Sequence, residues 1–360
     1  MEKAHIITYS VTNAKGGSFM TKKVYFVGLD IAAADFTASI YQSPKQPATT
    51  KEGFANTFDG FIMFGSWLES QKVHSSRCVI CMEATGVYGE GIAYFLFTQG
   101  FRVSVEPPLK VKRAFDPVGH KTDPVDSRQI AEYAYRFRDE LTLWRPKDEV
   151  IEKIRQLLAA RELFTKQSVA IQNALGAYKK HVVQVSLINN AHDRILKELK
   201  KHIADIDKEL AQLIRKNPTI SQMNNQLKSL PGFGLLLSSN LIVLTGAFHD
   251  ITAYRTLAAF LGICPYQHQS GTSVYKRPRI RHFGPAYARK LLTLAARSVV
   301  AHNSVFKTYY LRKLAEGKAK KLVLNNIANK LIKIACAVIK NNSRYVSTYR
   351  SVNPMCLISA

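Results

Sequence analysis

The chain has 360 residues, is 46% hydrophobic and carries a formal net charge of +25 at pH 7. That length accommodates two or three domains, and the apolar share supports packed cores, which excludes a disordered chain. The apolar stretches are too short or too interrupted to predict a membrane span, and residues 1–22 lack the apolar core of an export signal.

Residues 1–22 read as a polar, flexible extension, with Met20 an alternative start. Residues 23–145 read as α/β. Strands are expected at 23–30, 35–41, 53–58, 78–83 and 102–106, and helices at 60–71, 87–99, 107–114 and 124–138. The first strands follow one another closely and predict hairpins; the later ones alternate with helices, as in a mixed sheet with crossovers. Cys78 and Cys81 have CxxC spacing inside an apolar run, and core packing is the better reading. Five cysteines with no export signal fit a cytoplasmic protein without disulfides.

Residues 146–218 change character. Proline is absent between Pro146 and Pro218, and Leu196, Leu199, Ile203, Ile206, Leu210 and Leu213 alternate by three and four, a heptad seam. Helices are expected at 148–185 and 188–216. The seam serves either a hairpin packed on itself or a coiled coil between two copies, and a long hairpin buries its seam poorly alone, which favours a homo-oligomer. Residues 222–350 read as a third, mainly helical region. It opens on Leu230-Pro231-Gly232-Phe233-Gly234, which resembles the start of a helix-hairpin-helix module, where Gly232 and Gly234 would let backbone N–H groups face a phosphate. From residue 251 onward there is one acid, Glu316, among many lysines and arginines, and a field of one sign implies a polyanion such as nucleic acid. Residues 351–360 form a tail.

Four carboxylates stand out. Asp30 closes the run Val24-Tyr25-Phe26-Val27-Gly28-Leu29, and Glu83 closes Cys78-Val79-Ile80-Cys81-Met82. Asp123 and Asp126 are three apart at a helix start, hence on one face. Carboxylates clustered together stay ionised beside strong positive charge, and the usual source is Mg²⁺, with Mn²⁺ as a substitute. Two such ions stabilise the attacking and leaving oxygens of a phosphodiester. The bland alternative is that Asp123-Pro124-Val125-Asp126 is a capping sequence with Asp123 as N-cap. Downstream, Ser270 and Ser273 flank Gly271 in an expected loop that leads into Lys276, Arg277, Arg279 and Arg281, bases suited to gripping a phosphate.

These motifs, in this order, resemble the DEDD-type transposases of the one-ten family of bacterial insertion sequences, including the eleven-eleven branch and the Piv-type DNA invertases. The residues that carry the resemblance are Val27-Gly28-Leu29-Asp30, Met82-Glu83-Ala84-Thr85-Gly86-Val87-Tyr88 and Lys121-Thr122-Asp123-Pro124-Val125-Asp126. In the second half they are Leu230-Pro231-Gly232-Phe233-Gly234, Leu261-Gly262-Ile263-Cys264-Pro265 and Gln269-Ser270-Gly271-Thr272-Ser273. The resemblance implies a RuvC-like domain with an RNase H core, a coiled coil, and a C-terminal domain with a catalytic serine. It makes Asp30, Glu83, Asp123 and Asp126 the metal-binding acids and Ser270 the nucleophile, with Ser273 second. It also implies donor and target DNA, a structured bridge RNA, and a dimer that becomes a tetramer on DNA. Ser127 stands where the family commonly has Ala. Two other readings remain: a RuvC-type junction nuclease using water, and a nucleic-acid-binding protein without catalysis.

Overall fold

The computed structural model describes residues 24–115, 122–270, 274–280 and 284–347, with the backbone alone over 267–270 and 274–279. The chain divides between Pro146 and Lys147 into two compact units. The expected extension and tail, like Ser273 and Arg281, lie outside the described residues.

The first unit is built on a mixed sheet of five strands. β1 (Tyr25–Ile31) is central, and β2 (Asp35–Tyr41), β3 (Thr49–Ala55), β4 (Cys78–Glu83) and β5 (Arg102–Glu106) complete the order β3-β2-β1-β4-β5. β1, β2 and β3 pair antiparallel, while β1–β4 and β4–β5 are parallel. Parallel neighbours need crossovers, and α1 (Phe58–Ser70) and α2 (Glu90–Thr98) supply them. Both helices cover one face, over a core that includes Val27, Leu29, Phe36, Phe64, Ile80, Met82 and Leu96. A short helix, α3 (Pro108–Lys112), follows β5. The opposite face carries α4 (Asp123–Arg136), which packs Ile130, Tyr133 and Ala134 on Phe26, Val79 and Cys81. A strand covered on both sides reads as a continuous apolar run, and β1 and β4 do. β3 lies earlier than the expected 53–58. Its first five residues, on an edge strand, are exposed and none is apolar in side chain, so apolar patterning placed the strand too late.

The second unit is mainly helical. α5 (Glu149–Tyr178) and α6 (Ser186–Lys216) form an antiparallel hairpin. Asp148 starts α5 by accepting from the N–H groups of Val150 at 2.8 Å and Ile151 at 3.1 Å. The predicted seam turns inward: Leu196 and Leu210 are buried, and Arg161 grips Asp207 across the hairpin with Nε at 2.5 Å and a terminal nitrogen at 2.9 Å. Within the chain, therefore, α5 packs along the seam. α7 (Pro218–Lys228), α8 (Leu235–Leu244), α9 (Tyr254–Phe260), α10 (Ala286–His302), α11 (Ser304–Ala315) and α12 (Lys320–Lys340) follow. Among the described residues α12 alone is long and apolar enough to cross a membrane; its buried side, Val323, Ile327, Leu331, Ile332 and Ala335, is part of the core of this unit.

One departure bears on function. The stretch expected as a loop is a β-hairpin, β6 (Pro265–Ser270) and β7 (Val274–Ile280), paired antiparallel. Ser270 is the last residue of β6, opposite Val274, and Lys276, Arg277 and Arg279 lie on β7.

Candidate active site

The sheet face under α4 is defined by a glycine. A Cβ on Gly28 would stand 2.1 Å from the Ser127 carbonyl oxygen and 2.3 Å from the Ala131 nitrogen, so the backbones of β1 and α4 touch there. Side chains two apart on a strand share a face, so Asp30 lies on the α4 side. Gly28 pairs with Cys81, and Cys81 also packs under α4, so Glu83, two residues on, shares this face. α4 runs antiparallel to β1: Phe26 meets Tyr135 at a ring distance of 5.5 Å, and Gly28 meets Ser127 and Ala131. Two further strand residues match about one helical turn. The first turn of α4, with Asp123 and Asp126, therefore overhangs the end of β1 that bears Asp30. The four carboxylates occupy one end of one face.

The start of α4 bears on the capping alternative. The residue before the helix is Thr122, and no side chain caps it. Asp123 is the first helical residue and not the N-cap, which corrects the capping alternative. Among the described residues neither the Asp123 nor the Asp126 carboxylate takes part in a hydrogen bond or ion pair, and only the positive end of the helix dipole favours their charge. Ser127 is structural: its hydroxyl lies 2.8 Å from that of Ser39 on β2, which in turn lies 2.7 Å from that of Thr50 on β3. Both serines are fully buried, and the chain of hydroxyls fixes the helix start over the sheet.

A fifth carboxylate, which the sequence reading missed, adjoins the four. Glu106 is the register partner of Glu83, and the Ala84 N–H donates to the Glu106 carbonyl oxygen at 2.9 Å. The side chain is buried, accepting from Ser104 Oγ at 2.9 Å and from Lys110 Nζ at 3.0 Å. That hydrogen bond to Glu106 holds the Lys110 ammonium above its ordinary pKa. The Lys110 ammonium also sits 5.9 Å from the centre of the Tyr133 ring on α4. The signal was present: Glu106 closes Val103-Ser104-Val105 much as Glu83 closes its own run. Burial first, then Glu106 and Glu83, push the Cys81 thiol far up, and burial does the same to Cys78, so both are core thiols as read from their run.

All four side chains are carboxylates, a chemistry that suits a hard divalent cation. Among the described residues, however, no three His, Cys, Asp or Glu side chains come close enough to hold one ion. The acids share an end and a face without forming a closed shell.

In the second unit, Gly232 has φ +79°, and a Cβ there would stand 2.9 Å from the Ala295 carbonyl oxygen and 2.9 Å from Val299 of α10. Its need for glycine is conformation and packing, whatever else it does. Gly234 is the exposed residue before α8, open to its surroundings.

Comparison with known proteins covers both units. Residues 27–183 match a DEDD transposase family of the IS110 type, and residues 224–311 match the transposase IS116/IS110/IS902 family. A pilin gene-inverting protein of Moraxella lacunata is 29% identical over 324 residues, 88% of this chain and 96% of the relative. Its counterpart in Moraxella bovis is 28% identical over the same shares. The transposase for insertion sequence element IS1111A of Coxiella burnetii is 27% identical over 151 residues, 40% of this chain and 39% of the relative.

Proposed function

The chain belongs to the IS110 family of transposases and recombinases and is an enzyme of that class; from that premise we propose that it cuts and rejoins the DNA of a mobile or invertible element with the four carboxylates of the first unit and Ser270 of the second. The observation that carries the reading is the pair of carboxylates Asp123 and Asp126, without a hydrogen bond or ion pair among the described residues, set by the Gly28 contact over the strand end that bears Asp30 and Glu83. The mixed sheet with carboxylates at the ends of its central strands supports the RuvC-like, RNase H reading of this unit.

Asp30, Glu83, Asp123 and Asp126 would hold Mg²⁺, or Mn²⁺ in its place, and the ion supplies positive charge to the oxygens of the scissile phosphate. The Ser270 Oγ would attack phosphorus and give up its proton: an Oγ–P bond forms, the P–O bond to the leaving strand breaks, and the leaving oxygen takes up a proton to become that strand's hydroxyl. Lys276, Arg277, Arg279 and Arg281 would hold the phosphate backbone. The family resemblance adds donor and target DNA, a structured bridge RNA and a homo-oligomer. Exposed Val182, Val183, Leu187 and Ile188 at the far end of the α5–α6 hairpin support contact with a second copy there.

The test is strand cleavage with trapping of the protein–DNA adduct. Alanine at Asp30, Glu83, Asp123 or Asp126 should reduce cleavage at least a hundredfold in Mg²⁺ and leave the fold intact. Ser270→Ala should abolish the adduct. Cleavage without an adduct in the parent protein would move the chemistry to water attack; an adduct retained in Ser270→Ala would move the nucleophile to Ser273.

A further inference from the structure

The second unit carries a cluster of cations apart from the β6–β7 hairpin. α12 packs against both α9 and α11. Lys330 and Lys333, three apart on α12, reach to either side. The Lys330 ammonium lies 3.9 Å from the centre of the Tyr309 ring on α11, and Arg312 lies 5.8 Å from that ring. The Lys333 ammonium lies 5.7 Å from the Tyr254 ring on α9, and Arg255 lies 5.9 Å from it. Both tyrosines pack partly buried on the core, so the rings are fixed platforms.

The cluster is unbalanced. The carboxylate of this face is Glu316, and Lys313 occupies both of its oxygens, at 2.9 and 2.7 Å, with Arg312 4.0 Å away. Among the described residues no carboxylate partners Lys330 or Lys333. Burial first, then Arg312, Lys313 and Lys333, hold the Lys330 ammonium below its ordinary pKa. A fold that gathers like charges without counter-charge gives up stability for it, and a ligand of repeated negative charge removes that cost. Each tyrosine ring already carries two cations, which leaves little room for a stacked base. What remains to be bound is phosphate.

We propose that the surface formed by Arg255, Arg312, Lys330 and Lys333 across α9, α11 and α12 binds the phosphate backbone of duplex DNA without reading its sequence. The inference rests on the family reading above, which makes DNA the substrate, and adds a surface of the second unit that grips DNA besides the cations of β7. Contacts of this kind release condensed counterions, so each lost cation lowers the salt dependence of binding by about one unit of slope.

The experiment uses the full chain and a duplex of arbitrary sequence, with affinity measured across a salt series. The parent should bind with a steep negative slope. Lys330→Met with Lys333→Met should reduce the slope by about two and weaken binding at low salt at least tenfold. Arg312→Met, at a largely exposed position, should reduce the slope by about one and guards against misfolding of the double variant. Lys330→Arg with Lys333→Arg should bind within threefold of the parent, whereas a packing role for lysine would not be rescued. Lys45→Met, on the first unit, should change neither affinity nor slope by as much. An unchanged slope in both methionine variants would overturn the surface and leave the family reading intact. A loss confined to duplex RNA of the same sequence would overturn DNA as the occupant. A parent protein that does not bind DNA would overturn this proposal together with the reading beneath it.

Discussion

Gly28 and Ser127 meet backbone to backbone: a methyl group on the glycine would stand 2.1 Å from the serine carbonyl oxygen. No rotamer change relieves that contact, because the backbone fixes the position of a Cβ and the opposing oxygen is itself backbone. Gly28→Ala must therefore lift α4 from the sheet or bend β1. Overpacking of this kind costs about 3 kcal/mol, and it displaces Asp123 and Asp126 from Asp30. The expected outcome is a lower melting temperature with at least tenfold slower strand cleavage. A Gly28→Ala protein that melts and cleaves like the parent would show that α4 does not rest there.

The Lys110–Glu106 pair gives a second prediction. Glu106 is 4% exposed at its side chain, while Lys110 is 42% exposed. Lys110→Met leaves a buried carboxylate next to Glu83 with, among the described residues, the Ser104 hydroxyl to serve it. Because the lysine is partly exposed and water can reach the site, the cost is about 1 kcal/mol, below that of a fully buried pair. Chemical denaturation should show that loss, and Lys110→Met combined with Glu106→Gln should recover at least half of it. If the double variant is no more stable than Lys110→Met, charge is not what the lysine provides.

A third prediction concerns Ser127, whose hydroxyl joins Ser39 and Thr50. Ser127→Ala removes the hydroxyl's bond to Ser39 and its longer bond to the Pro124 carbonyl oxygen, 3.2 Å, while Ser39 keeps its bond to Thr50, so the cost should be about 1–2 kcal/mol. The helix start also loses its tie to β2. Thermal melts and amide exchange over residues 122–127 check both effects: faster exchange there with a small melting shift is expected, and unchanged exchange would show that the hydroxyl chain does not hold the helix start.

The fourth prediction addresses how acids and serine meet. They lie on different units, and a homo-oligomer allows the acids of one copy to work with Ser270 of another. Mixing Asp30→Ala protein with Ser270→Ala protein then yields one intact site per mixed dimer, and nicking with a covalent adduct should return to about a quarter of the parent level by statistical pairing. Mixed dimers that form and never cut would assign the site to a single chain.

The sequence exposed Asp30 and Glu83 because each interrupts an apolar run that only a doubly covered strand sustains. It exposed Asp123 and Asp126 through their spacing, but could not show whether Asp123 caps the helix; the position of Thr122 at the helix start removes that role. Glu106 escaped notice because its meaning is register: nothing local shows that it pairs with Glu83. β3 was expected too late, at 53–58, because the exposed first part of this edge strand carries no apolar signature. The strand that ends in Ser270 escaped because Tyr266, His268 and Ser270 alternate with residues as polar as themselves, so period two left no hydrophobic trace. The heptad seam was legible, but its partner was not, since a seam is the same whether the neighbouring helix belongs to this chain or another.

The hairpin of α5 and α6 has a mechanical consequence. An arm of 30 residues, as α5 is, extends about 45 Å. Its root is held by Ile151, Ile154, Leu210 and Ile214 in the core of the second unit, and the Arg161–Asp207 clasp binds its two helices into one beam. Such a beam is a lever: a tilt of about 5° at the root sweeps the far end through about 4 Å. Small changes in how four aliphatic side chains seat at the root are thus magnified at Val182 and Val183. Mutations that soften that seating should blur whatever alignment the distant end imposes while leaving the residues at that end untouched.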